Sequence, residues 1–169
     1  MKKIALLFLS IVFVVFFSSC ASKYERYSKS STVFVTFKFP SLNFKFSDSG
    51  FLYLNEKRLR LELYKFGQTV FFVEINDKIC TNYACYDKKL FNQRWFLNAY
   101  YDDLLEDILR ARPIYEARNL QKTQCGFRQD FSTQGQNLVY ELCHDELSFY
   151  ATKDGAQLFS IKMRRLGNE

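Results

Sequence analysis

RLRLELYKFGQTVFFVEI, residues 58–75, decides the fold. Leu59, Leu61 and Leu63 alternate with Arg58, Arg60, Glu62 and Tyr64. A period of two sets the leucines on one side of a pleated strand and the polar residues on the other, so the strand is half buried. After Phe66-Gly67, the run TVFFVEI at 69–75 is again rich in β-branched and aromatic residues, which suit a second strand. Two such runs joined by a two-residue turn make an antiparallel hairpin.

The same pattern extends in both directions. Upstream, Val33, Val35, Phe37 and Phe39 alternate with Phe34, Thr36 and Lys38, and Pro40 ends the run. Phe44 and Phe46 continue the alternation, Ser47-Asp48-Ser49-Gly50 reads as a turn, and Phe51 to Leu54 as a short strand. Downstream, Asn76-Asp77 is a turn, and Lys78–Cys80 with Cys85–Asp87 form a small hairpin. The period then moves towards 3.6. Asp87 caps an expected helix over Lys88 to Leu97, with Leu90, Phe91, Arg94 and Trp95 near one face. A second helix is expected from about Asp102 to Ala111, with the apolar stripe Leu104, Leu105, Ile108 and Leu109. Acids at its start and Arg110 and Arg112 at its end suit the helix dipole, and Pro113 stops it. Two hairpins close the chain, one at 125–143 and one pairing 146–152 with 157–164 around Lys153-Asp154-Gly155-Ala156. Strands, two helices, then strands predict a mainly β (α+β) domain. Its expected form is one strongly curved, unclosed antiparallel sheet, a half-barrel, with the helices lying across the concave side as a lid.

The N-terminus is of another kind. Lys2 and Lys3 precede an apolar run from Ile4 to Phe17 broken only by Ser10. As a helix those fourteen residues reach roughly 21 Å, short of the roughly 30 Å of bilayer hydrocarbon. They read as an export signal. Phe17-Ser18-Ser19-Cys20 resembles the lipobox of bacterial lipoproteins, which implies cleavage before Cys20 and lipid on its sulfur. Ala21 follows, where that resemblance implies an outer-membrane address. Residues 1–19 are thus the expected signal peptide, 20–31 a lipidated tether, and 32–169 one domain. Without Lys2 and Lys3 the mature chain keeps 22 of the 24 basic residues against 18 acids. This dispersed excess, in an exported chain without a basic cluster, argues against nucleic-acid binding. Weak attraction to anionic lipid is compatible with it.

Cys80, Cys85, Cys125 and Cys143 form an even set in an exported chain, which suggests two disulfides. Folding 125–143 as a hairpin centred on Gln134 sets Phe131 opposite Asn137, Gln129 opposite Val139 and Cys125 opposite Cys143, within bonding range. Cys80 meets Cys85 across the turn Thr81–Ala84 in the same way. No familiar zinc spacing is present, and no metal is expected. Nor is a catalytic set. His144 is the single histidine, and no nucleophile elbow, phosphate loop or His-Glu-x-x-His run appears. Asp102, Asp103, Glu106 and Asp107 read as a solvated acidic face. No cofactor is expected beyond the lipid on Cys20.

The element order resembles the LolA/LolB family, the carriers that move lipoproteins to the bacterial outer membrane, over roughly residues 50–166. RLRLELYKFGQTVFFVEI is similar to the LolB strand–turn–strand bearing a Pro-Leu-Gly tip, with Lys65 in the place of proline. YYDDLLEDILRARP at 100–113 resembles that family's second helix, and LSFYATKDGAQLFSIKMRRL at 147–166 its terminal hairpin. The resemblance implies an apolar, acyl-binding interior and a protruding tip that meets the membrane. Phe66 matches the tip, and a phenylalanine in so tight a turn has few neighbours to bury it. The alternating apolar sets Leu59, Leu61, Leu63, Val70 and Phe72, with Leu104, Leu105 and Ile108 from the lid, are the expected lining. A cavity and a packed core use the same residue types, so both stay open here. The implied partners are membrane lipids, other lipoproteins or a periplasmic carrier, for a monomer on the periplasmic face of the outer membrane. A structural lipoprotein that holds a protein partner of an envelope complex is the alternative.

Overall fold

In the computed structural model, which describes residues 27–167, the period-two segments become eleven strands and the 3.6-period segments two short helices. The strands are β1 (Lys29–Phe39), β2 (Phe44–Leu54), β3 (Leu59–Lys65), β4 (Gln68–Ile75), β5 (Lys78–Thr81) and β6 (Cys85–Asp87), then β7 (Leu120–Lys122), β8 (Gly126–Thr133), β9 (Gln136–Cys143), β10 (Glu146–Lys153) and β11 (Ala156–Arg165). Between the two groups lie α1 (Lys88–Trp95) and α2 (Leu104–Leu109). The expected signal segment and Cys20 fall outside the described residues.

All strands join one antiparallel sheet in the order β6-β5-β4-β3-β2-β1-β11-β10-β9-β8-β7. It consists of two meanders, β1–β6 and β7–β11, zipped together where β1 pairs β11 from Val33↔Arg165 to Lys38↔Ser160. The short strands β6 and β7 are the free edges, so the sheet is not closed. This is the half-barrel expected from the sequence. Among the described residues the buried core side chains run from Val33 to Met163. Leu59, Leu61 and Leu63 are fully buried, each burial being worth about 2 kcal/mol. Phe91 and Trp95 of α1 and Leu104, Leu105, Ile108 and Leu109 of α2 complete the core.

Four expectations need correction. β1 starts at Lys29, and Ser28 N–H bonds the Leu54 carbonyl at 2.9 Å, so residues 29–31 belong to the sheet rather than to a tether. Ser47–Gly50 is not a turn: β2 runs through it in unbroken register with β1. Polar side chains mislead there because Ser47 sits on the exposed face, its hydroxyl bonding Thr36 at 2.8 Å. Gly50 is buried so close to β3 that a Cβ would strike the Glu62 carbonyl. The cysteine hairpin turns on Gln134-Gly135, so Thr133 faces Gln136, Phe131 faces Leu138, Gln129 faces Tyr140 and Gly126 faces Cys143. That is one residue away from the expected register. Finally, both helices are shorter than the pattern suggests, and Asp87 makes no side-chain cap bond.

Candidate functional site

Leu59, Leu61 and Leu63 point into the concave side, where Leu104, Leu105 and Ile108 meet them. Val70 and Phe72 do not. A plain two-residue turn would set Leu63 opposite Val70 and Leu61 opposite Phe72. Instead, a β-bulge between Leu63 and Tyr64 makes Phe71 the partner of Leu63 and Val73 the partner of Leu61. One added residue turns every side chain of the strand over. Val70 is 41% exposed, and Phe72 lies on the outer face under the Arg60 guanidinium, 4.5 Å from its ring centre. Arg60 also bonds Glu62 at 2.6 Å and Glu74 at 2.7 Å. Burial works to raise the Glu62 carboxyl, but hydrogen bonds from Tyr64 and Arg60 outweigh it and hold it below the ordinary glutamate value.

The interior is strongly aromatic. Phe37, Phe39, Phe71, Phe91, Trp95 and Phe96 surround a slot of about 10 Å³, too small for more than one water. Phe91 stacks on Trp95 at 5.2 Å, Phe39 meets Trp95 edge-on at 5.2 Å, and Phe96 lies 4.9 Å from Phe159. In this conformation the concave side is therefore a packed core. Phe37 and Phe39 were legible as inward residues, whereas the bulge hid Phe71.

The helices close this interior under several ties. Lys88 of α1 reaches Asp103 at 2.5 Å and Glu106 of α2 at 3.5 Å. Arg110 pairs Glu106 at 2.8 Å and donates to the Asn55 and Arg58 carbonyls of the β2–β3 turn. Arg112 pairs Asp107 at 2.7 Å. Glu106 and Asp107 are thus a partly buried ion-pair hub rather than a solvated face. Burial and the Asp107 carboxylate, which accepts its hydroxyl, push the Tyr101 phenol up. Two atoms of α1 fit poorly. Asn92 donates to the Tyr101 carbonyl, yet its Oδ1 and the Trp95 Nε1 are buried without a hydrogen-bond partner.

After α2 the chain makes one turn, Tyr115–Ala117, in which all three residues have left-handed φ, 49°, 52° and 62°. Fully buried Gln129 holds it. Gln129 accepts from Ile114 N–H at 2.8 Å and donates to the Ile114 and Arg118 carbonyls at 2.9 and 2.6 Å.

Phe66 is 95% exposed at the β3–β4 turn. Three two-residue turns share one geometry, with left-handed φ at Phe66-Gly67, Gln134-Gly135 and Asp154-Gly155. That geometry favours Asn, Asp or Gly in the first place. A phenylalanine there is both strained and unburied, a combination that folding alone does not explain. Lys65 Nζ lies 5.8 Å from its ring centre.

Both expected disulfides are present, Cys80–Cys85 and Cys125–Cys143. Among the described residues the one cluster of potential metal ligands is Cys125, Cys143 and His144, and its sulfurs are tied up in the disulfide. A separate hollow of about 430 Å³ opens on the outer face between β1, β11, β10 and β9, beside Phe34, Lys162, Arg164, Glu141 and Glu146. No described helix is long and apolar enough to cross a membrane.

Fold and site together define a lidded, unclosed antiparallel half-barrel with an aromatic interior and one exposed aromatic tip. Compared with the models of known protein families and with curated proteins, the chain matches none.

Proposed function

We propose that the chain is a lipoprotein, anchored through Cys20, that takes acyl chains, free or borne on another lipoprotein, under α1 and α2 and delivers them to the outer membrane. It performs no catalysis in this role. The observation that carries the reading is the lid. α1 covers an all-apolar slot in an unclosed sheet while burying two polar atoms without partners. Each such atom penalises the closed position by about 1–3 kcal/mol, so α1 is held less firmly than its apolar packing alone would hold it. Phe66 supports the delivery step as the group that first meets the bilayer. The slot holds no acyl chain in its present shape, and carriage requires α1 to lift.

Trp95 is the single tryptophan and lines the slot. Titrating residues 21–169 with a fatty acid brominated in mid-chain is expected to quench its emission saturably, and the unbrominated acid should restore it. Unchanged emission, with lipid-free protein in native mass spectrometry, would sink carriage. That outcome would leave the second reading, a structural lipoprotein that binds a protein partner. The filled slot and the roomier outer hollow favour it.

A further inference from the structure

The strand directions place certain turns together at one end of the sheet. β1, β3, β5, β8 and β10 all run towards it. The turns there are 40–43, 66–67, 82–84, 134–135 and 154–155. The α1–α2 linker joins them, since Asn98 donates to the Gln134 carbonyl at 3.2 Å. This rim exposes Phe66 at 95%, Tyr83 at 71% and Leu97 at 43%. Towards the other end Leu166 is 46% exposed and Leu90, in the first turn of α1, 51%, so the two most exposed rings, Phe66 and Tyr83, both belong to the rim.

Charge divides the same way. The rim carries exposed Lys38, Lys45, Lys65 and Lys153 against Asp154 alone. At the far end exposed Lys29, Lys57, Lys78, Lys122 and Arg164 are matched by exposed Glu56, Asp77, Asp87, Asp145 and Glu146. Lys38 and Lys45 stand directly opposite each other across β1 and β2. Like charges in that position destabilise a sheet, and among the described residues no carboxylate lies within ion-pair distance of any of the four rim lysines. Unburied rings and a leucine ringed by unpaired lysines are complementary to a surface that is apolar beneath and anionic on top. Tyrosine belongs at such a boundary, and each lysine near an anionic bilayer strengthens binding severalfold.

We infer that the whole turn end of the half-barrel docks on a lipid surface bearing anionic headgroups. Phe66, Tyr83 and Leu97 enter the interfacial layer, while Lys38, Lys45, Lys65 and Lys153 lie at the level of the phosphates. This rests on the membrane-surface part of the proposed function but not on acyl carriage, and it places the aromatic slot, lined by Phe39 and Phe71, next to the bilayer.

The test is co-flotation of residues 21–169, which lack the lipid anchor, with phosphatidylcholine vesicles with and without phosphatidylglycerol. Binding is expected to need the anionic lipid and to fall about tenfold or more in the Lys38→Gln/Lys45→Gln double variant. Tyr83→Ser should weaken it too. The Lys57→Gln/Lys78→Gln variant, at the far end, should bind like the parent. No flotation, equal loss in both double variants, or capture by an acidic protein in place of vesicles would each overturn the inference. Flotation without quenching of Trp95 by brominated acyl chains would uphold rim docking and remove carriage.

Discussion

Phe66 sets local strain against exposure. Left-handed φ costs a non-glycine residue on the order of 1 kcal/mol, and at 95% exposure the ring recovers almost nothing by burial. Phe66→Asn is therefore expected to raise stability by about 0.5–1 kcal/mol in urea titration while weakening vesicle binding. A variant both less stable and equally adherent would show that the ring serves the fold. Gly50 presents the opposite case. Its Cβ would meet the Glu62 backbone, so Gly50→Ala should cost about 2–3 kcal/mol, whereas Gly67→Ala, with open space around it, should cost only about 1 kcal/mol. Glu62 adds a pH signature. Its folded carboxyl titrates below the ordinary value near 4.5, so its contribution is present above that pH and lost as pH falls through the folded value. The Glu62→Gln variant should lose stability less steeply than the parent on acidification below about pH 4.5. Parallel acid curves would remove Glu62 from the account.

At the level of elements, alternation made most strands legible, and Asp154-Gly155 marked its turn without ambiguity. What escaped were insertions of one residue. The bulge at Leu63/Tyr64 leaves no mark in composition, yet it exchanged Val70 and Phe72 for Phe71 and Val73 on the inner face. The cysteine hairpin slipped by one for the same reason: choosing a two-residue turn over a longer one shifts every partner. Ser47–Gly50 misled because its polar residues fit an exposed face as well as a turn. The left-handed turn 115–117 has no sequence signal at all, since Tyr, Glu and Ala are ordinary residues that tertiary contacts force into place. Gln129 supplies that force. Gln129→Leu would leave the Ile114 amide and the Arg118 carbonyl unpaired, the Ile114 carbonyl keeping Ala117 N–H, at about 3 kcal/mol, and hydrogen exchange across residues 113–119 should rise. Of the two cross-links, breaking Cys125–Cys143, with its separation of 18 residues, should cost on the order of 3 kcal/mol, and breaking Cys80–Cys85 less. Equal losses in single-pair serine variants would point to strain rather than loop closure.

For the whole molecule, the half-barrel and the placement of its lid were foreseeable, but whether its interior was hollow or filled was not. That question turns on how Phe39, Trp95, Phe96 and Phe159 interlock, and periodicity is blind to it. Position along the strands has a further consequence. Tyr27 packs against Tyr53 at 5.7 Å, on the far side from Phe66. Lys29 is level with Leu59 through Leu54, so Tyr27 lies nine residues of strand below the tip, roughly 30 Å. From Cys20 to Tyr27 the backbone can stretch roughly 25 Å at most. A molecule moored through Cys20, as proposed, therefore has a leash shorter than its own height. It cannot stand upright with its crown on the membrane that holds it; it must lean by roughly 35° or more, or its crown must face a second membrane across the gap.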